Sequence, residues 1–227
     1  MNTNDYILNI HTATQTAIVN LCAGNEVLGT RVNGNPKMHA SFLHSAIGDI
    51  LTENNIPITQ LKAIGVTVGP GSYTGIRVGL AAAKGLCYSL KIPLITFNTL
   101  EVMALAATRQ INDENALYSP MIDARRMEVF TAIYRYNLTE VVKPSAIILS
   151  GESFFEMLPK QPVYFFGDGS KKLPILVKNL PDVMIIECDI TTAVLCEIAC
   201  RNYKKSQFVN AAYAAPLYIK EFYSTQQ

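Results

Sequence analysis

The stretch Gly69-Pro70-Gly71-Ser72-Tyr73-Thr74-Gly75-Ile76-Arg77-Val78-Gly79-Leu80-Ala81-Ala82-Ala83-Lys84-Gly85 constrains the fold more than any other part of the chain. A short apolar run, Ala63-Ile64-Gly65-Val66-Thr67-Val68, precedes it and reads as a buried strand; helical periodicity follows it. The local unit is therefore strand, glycine turn, helix. N–H groups at a helix start, reinforced by the helix dipole, favour an anion, and glycines permit a tight bend or a close approach. Two readings stand: a turn that cradles phosphate and a turn that is purely structural. The spacing favours the second. A Walker loop needs Lys followed by Ser or Thr after its last glycine, where this chain has Ile76-Arg77. A dinucleotide fingerprint needs Gly-x-Gly-x-x-Gly, whereas Gly69-x-Gly71 meets Gly75 one residue late, after three earlier strands.

The helix after the turn leaves almost no polar face. Ile76, Val78, Leu80, Ala81, Ala82, Ala83, Leu86, Cys87 and Leu90 spread around it, and Gly75, Gly79, Ala82, Ala83 and Gly85 let a second backbone come close. A helix apolar on all sides is covered on more than one side. Either it is sandwiched within its own domain, or one side faces the chain's own sheet and another faces a partner subunit.

The 227 residues suffice for one large domain or two small ones. With 49% hydrophobic and 16% charged residues, a substantial core is expected and disorder is not. A mean hydropathy of +0.19 points to apolar surface used for association. No run reaches the length of a membrane span, and Met1-Asn2-Thr3-Asn4-Asp5 lacks the basic start of a signal peptide, so a cytoplasmic protein away from membranes is expected. A net charge of +1 gives no electrostatic footprint for independent nucleic-acid binding. The basic pairs Arg125-Arg126, Lys171-Lys172 and Lys204-Lys205 read as solvated surface. Five cysteines without Cys-x-x-Cys argue against a disulfide framework or a structural zinc site. Cys196 and Cys200 share one helix face and read as buried apolar filler.

Taken in order, Tyr6 to Ile10, Thr16 to Cys22 and Glu26 to Val32 form a three-stranded meander, and a helix carrying Met38, Phe42, Leu43, Ala46, Ile47, Ile50 and Leu51 follows. After the glycine unit, Pro93 to Phe97 is a strand, and Asn98-Thr99-Leu100-Glu101 starts a helix to about Gln110. The order then repeats. Leu117 to Ile122, Glu128 to Tyr136 and Val141 to Leu149 are strands, Gly151 to Leu158 a short helix, and Val163 to Phe166 a strand. Gly167-Asp168-Gly169-Ser170 opens a helix to about Asn179, Val183 to Ile186 is a strand, and Thr191 to Lys204 a helix capped by Asp189 or Thr191. Gly69-Pro70-Gly71-Ser72 thus corresponds to Gly167-Asp168-Gly169-Ser170. The expected fold is α/β: a duplicated actin-like (ribonuclease H-like) architecture of two βββαβαβα lobes, residues 1–110 and 111–227. The segment from Pro216 to Tyr223 is free to pack back on either lobe. Such a plan is shared by kinases and chaperones and does not by itself give a function.

Several motifs converge on one family. The block Gly69 to Gly85, with Ile92-Pro93 and Thr99-Leu100-Glu101 behind it, resembles the bacterial tRNA threonylcarbamoyladenosine biosynthesis family TsaB, also called YeaZ. Ile122-Asp123-Ala124-Arg125-Arg126-Met127-Glu128-Val129-Phe130 is similar to its second signature. Phe166-Gly167-Asp168-Gly169-Ser170 and Pro216-Leu217-Tyr218-Ile219-Lys220 are similar to later landmarks. The resemblance implies a non-catalytic accessory subunit that pairs with a catalytic, metal- and nucleotide-binding paralogue, TsaD, through the first-lobe helices. A small ATPase, TsaE, joins them, and the assembly transfers threonylcarbamoyl to an adenosine beside the tRNA anticodon, forming t6A. Contact with tRNA is then indirect, and the lone chain is expected to form a homodimer. The interface expected on that basis is His39, Leu43, Ile47, Tyr73, Ile76, Arg77, Leu80, Ala82, Ala83 and Leu86. Gly69, Gly71, Ser72, Gly167 and Gly169 are the glycine turns, or vestigial phosphate contacts.

No catalytic residue and no metal ligand is assigned, and no tightly bound cofactor is expected; ATP or ADP is expected only in the assembled complex. The superfamily's ATPases place a carboxylate at the end of the first strand, where this chain has His11, and an imidazole cannot replace a carboxylate around magnesium. His11 is instead expected to bond backbone. The catalytic paralogue holds metal with two histidines one turn apart; His39 and His44 lie five apart and are expected on different faces of the helix surface. Asp123 and Asp168, at strand ends, are paired acids or turn residues, and the turn reading is favoured. The alternatives are an actin-like small-molecule kinase or ATPase, which His11 opposes, and a metallopeptidase, which lacks its histidine pair.

Overall fold

The computed structural model describes residues 5–149, 161–175 and 183–220. The duplicated actin-like (ribonuclease H-like) α/β fold is present as two five-stranded sheets. In the first, β1 (Tyr6–His11), β2 (Ala17–Ala23) and β3 (Glu26–Asn33) form the meander, α1 spans His39–Glu53, and β4 (Leu61–Gly69), α2 (Tyr73–Leu90) and β5 (Leu94–Asn98) follow. Strand order is β3-β2-β1-β4-β5, with the meander antiparallel and β4 and β5 parallel to β1. After α3 (Thr99–Ile111), the second sheet is built from β6 (Leu117–Asp123), β7 (Glu128–Arg135), β8 (Glu140–Ile148), β9 (Val163–Phe166) and β10 (Val183–Ile185). Its order, β8-β7-β6-β9-β10, matches the first strand for strand, again with a parallel pair beyond the meander. The last helix is α4, Thr192–Lys204, whose start is capped by Thr191 Oγ1 accepting from Val194 N at 3.3 Å.

Alternation along the strands decides which face is buried against which helix. In the first sheet Leu8, Ile10, Val19, Leu21, Ile64 and Val66 pack with Leu43, Ala46, Ile47 and Ile50 of α1 and Leu80, Ala83 and Cys87 of α2. The second has its own core of Leu117, Met121, Val129, Ile133, Val163, Phe165 and Leu173.

Two expectations change. The chain divides into compact units Met1–Val102 with Ile190–Pro216, and Met103–Asp189 with Leu217–Gln227, in place of a cut between residues 110 and 111. The crossing lies within α3, and α4 packs on β1, β2, β3 and β5. Asn20 Nδ2 donates to Thr192 O at 2.8 Å and Arg201 pairs with Glu101 at 2.6 Å, so α4 completes the first sheet's other face. The segment after it stays there, with Val209 bridging Leu94 and Lys84 Nζ donating to Ala214 O at 2.9 Å. The element after the second glycine turn, expected to be an α-helix, is a 3-10 helix over Asp168–Ile175 with Pro174 inside it; proline lacks the N–H an α-helical interior needs. The expected helix Gly151 to Leu158 and the continuation to Asn179 lie outside the described residues.

Candidate functional site

Because β1 and β4 are parallel neighbours, their C-terminal ends lie together, and the β1–β2 turn rests on the start of α2. Ser72 caps that helix: its Oγ accepts from Gly75 N at 3.2 Å. Ser72 N donates to Ala13 O at 2.7 Å, and Thr12 Oγ1 donates to Gly75 O at 2.7 Å. A Cβ on Gly71 would sit 2.0 Å from Ala13 O, one on Gly75 2.0 Å from Thr12 O, and one on Gly79 2.3 Å from Thr12 Oγ1. Gly71 and Gly75 are required by the chain's own backbone, and Gly79 by the Thr12 side chain, which occupy the space beside them. The amides of Ser72 and Gly75, which a phosphate would use, already have partners within the chain.

His11, at the end of β1, is fully buried. It bonds two hydroxyls and no backbone group, which corrects the sequence expectation: Nδ1 lies 3.1 Å from Thr67 Oγ1 and Nε2 2.8 Å from Thr14 Oγ1. Thr14 gives its own proton to Thr16 O, so Nε2 donates to Thr14 and Nδ1 accepts from Thr67. Burial, with His39 nearby adding to it, holds this imidazole down at about 3, so it is neutral. His39 is not on the surface: it is buried, and its Nε2 donates to Thr14 O at 3.2 Å. His44 is exposed, on the opposite side of α1.

At the second turn, a Cβ on Gly167 would meet Met121 O at 2.4 Å and one on Gly169 the Met121 and Ile122 carbonyl carbons at 3.0 Å. Ser170 Oγ donates to Gly167 O at 2.7 Å. Asp168 Oδ1 accepts from Asp123 N at 2.9 Å, while Asp123 Oδ1 accepts from Arg125 N and from Lys172 Nζ, each at 2.6 Å. The Lys172 ammonium holds the Asp123 carboxyl below its usual range. The two aspartates thus organise the turn Asp123–Glu128, where Arg125 and Arg126 take left-handed backbone.

The expected partner face is rearranged. Leu43, Ile47, Ile76, Leu80, Ala83 and His39 are buried inside the first unit, so they are core and not contact surface. Tyr73, Ala82 and Leu86 are half-buried, and Arg77 is exposed with its guanidinium 3.8 Å over the Tyr73 ring. Among the exposed residues of α2, Arg77, Ala81, Gly85 and Tyr88, spaced three to four residues apart, line one strip, with Tyr88 87% exposed. Small residues at 81 and 85 read as interior in the sequence, although alanine and glycine cost little on either side of a helix.

A grouping that sequence spacing does not reveal lies on the opposite sheet face. Cys22 of β2 meets Cys196 and Cys200 of α4, all three buried, with sulfurs within 4.8 Å of one another. Cys196 donates to Gly24 O at 3.4 Å, and Cys200 also contacts that carbonyl. Hydrogen bonds with Cys196 and Cys22 lower Cys200, while hydrogen bonds with Cys196 and Cys200, and then burial, push Cys22 up.

A family model described as TsaD, tRNA N6-adenosine threonylcarbamoyltransferase, matches residues 34–220. The tRNA threonylcarbamoyladenosine biosynthesis protein TsaB of Bacillus subtilis is 34% identical over 165 residues, covering 71% of this chain and 70% of that protein. The Escherichia coli protein of the same name is 28% identical over 236 residues, 94% of each. Among solved structures, YeaZ from Pseudomonas aeruginosa superposes with a TM-score of 0.79 at 21% identity, over 94% of this chain and 99% of that one, a likeness of fold. The chain belongs to the TsaB (YeaZ) family of tRNA threonylcarbamoyladenosine biosynthesis proteins.

Proposed function

We propose that this protein is a non-catalytic accessory subunit in t6A formation on tRNA, supporting and regulating a catalytic paralogue of the TsaD kind in the cytoplasm. The observation that carries this reading is the packed first turn. Where an actin-like ATPase would bring a carboxylate toward phosphate and magnesium, this chain buries a neutral His11 between Thr14 and Thr67 and lays its β1–β2 turn on the start of α2. Neutral imidazole is a poor ligand for a hard cation that demands oxygen. Family membership supports the pathway, and the outward strip of α2 supports association: Arg77, Ala81, Gly85 and Tyr88 join small residues, which admit close helix packing, to an aromatic and an arginine, the types enriched at interfaces. The same strip serves a homodimer when the paralogue is absent, and the small ATPase TsaE joins through the paralogue. In this reading no helix of the described residues is long and apolar enough to cross a membrane, and none is needed.

The test is reconstitution of tRNA modification from purified subunits, each omitted in turn. The expected result is that omitting this chain collapses the yield, while this chain without its paralogue gives none. Modification by this chain alone, or full yield without it, would overturn the reading. Calorimetry with ATP and magnesium on the isolated chain separates out the kinase alternative, for which turnover would be required.

A further inference from the structure

We propose that Cys22, Cys196 and Cys200 form a structural site for one thiophilic d10 cation, zinc or monovalent copper, which pins α4 to the first sheet. Three observations converge. First, the three sulfurs lie within 4.8 Å of one another, and three thiolates around a metal at about 2.3 Å make a triangle with edges of about 4 Å. Second, the ligands come from a rigid frame: Cys196 and Cys200 are four apart on one helix face, the spacing that turns two side chains toward one point, and Cys22 comes from β2, a strand paired on both sides. Third, all three are essentially fully buried, at 0%, 0% and 1% exposure. Ordinary apolar packing requires no convergence of three polarisable sulfurs.

The donor set selects the metal class. Thiolates with no nitrogen or carboxylate among them favour zinc and monovalent copper over magnesium, calcium or manganese. Loading releases thiol protons to solvent, and the cation's charge then partly offsets the three thiolates, more fully for Zn2+ than for Cu+. Asn9 Nδ2 donates to the Cys22 sulfur at 3.4 Å, an outer contact of the kind that steadies a metal thiolate, and the Lys204 ammonium on the next turn of α4 adds positive potential at Cys200. Zinc takes a fourth ligand beyond the three sulfurs, whereas copper is content with the trigonal sulfur set. The consequence is topological. Cys22 lies near the start of the chain and α4 near its end, so one ion closes a very long loop within the first unit, where cross-links are most effective against an unfolded chain.

The full chain, purified reduced and without oxygen, is stripped with chelator and offered Zn2+, Cu+ or Cd2+ at one equivalent. The expected result is one ion per chain surviving desalting, a thiolate-to-cadmium charge-transfer band, and a higher Tm than the stripped protein. Cys200→Ser and Cys196→Ala each lose the band and weaken retention more than about tenfold, whereas Cys87→Ala, on α2, keeps both. Preference for Zn2+ or Cu+ in competition assigns the ion. Should the single variants fail to fold, sulfur counting by X-ray absorption on the cadmium-loaded wild-type chain decides: three sulfurs are expected, and one or none overturns the proposal. Equal retention by the triple variant C22A/C196A/C200A, or no ion held by the reduced wild-type chain, also overturns it.

Discussion

Gly69–Ser72 and Gly167–Ser170 each follow the strand that runs parallel to the first strand of its sheet, yet the two turns are stabilised by different forces. The first is almost without charge. Its glycines admit Thr12 and Ala13, its serine caps a long α-helix, and the histidines beside the β1–β2 turn, His11 and His39, are buried. The second is ionic. Asp168 holds the Asp123 amide, Asp123 pairs with Lys172, Lys172 also donates to Glu128 O, and Lys220 pairs with Glu128. Similar sequence patterns thus serve steric packing alone at one turn and steric packing with a partly solvated charge network at the other. The difference teaches that a glycine turn after a strand specifies backbone proximity, and that the neighbouring strand end decides what the proximity is for.

The comparison breaks most visibly under substitution of the glycines. Gly75→Ala drives a Cβ onto the Thr12 carbonyl and is expected to cost about 3 kcal/mol or more, whereas Gly169→Ala, with contacts at 3.0 Å, is expected to cost about 1 kcal/mol. Denaturant titration of both variants checks this, and equal losses would mean the two turns are packed alike.

Acid separates the turns next. His11 has its folded value lowered to about 3 from 6.5, so the unfolded chain binds a proton that the native one refuses. The stability this contributes is complete above the unfolded value and is lost as pH falls from 6.5 toward 3, at about 1.4 kcal/mol per pH unit. His11→Gln is expected to remove one proton's worth of that slope, read from unfolding free energies between about pH 6 and pH 4. Asp123 is lowered as well, but because Lys172 favours its charged form: it gives stability above its unfolded value that is lost as pH falls through its folded one. With that carboxylate 44% exposed, Asp123→Asn should cost under about 1 kcal/mol and less at high salt, while Gly75→Ala should not respond to salt.

Periodicity made most of the fold legible. Alternating patterns locate all ten strands of the described residues to within a residue or two, and helical periodicity finds the four α-helices, since each buries one face. Position along the chain misassigned α4, because nothing in Thr192–Lys204 says which sheet it covers. The exposed face of α2 was read less well. Ile76, Leu80 and Ala83 are apolar because the chain's own core needs them, while Ala81 and Gly85, which face out, look no different in sequence. Cys22 and the α4 cysteines carry no spacing signature, since their meeting depends on where α4 docks. His11 was legible as a departure from a carboxylate, but its threonine partners belong to other segments.

The central claim is that the first turn seats α2 so that its outward strip, and not a nucleotide, is the working surface. The direct measurement is association with the catalytic paralogue, by light scattering after size exclusion, for Gly85→Arg beside wild type. Gly85 has no neighbour within 4 Å of an added Cβ, so the lobe should keep its melting temperature. The account predicts loss of the complex with folding intact; a complex of undiminished affinity would contradict it.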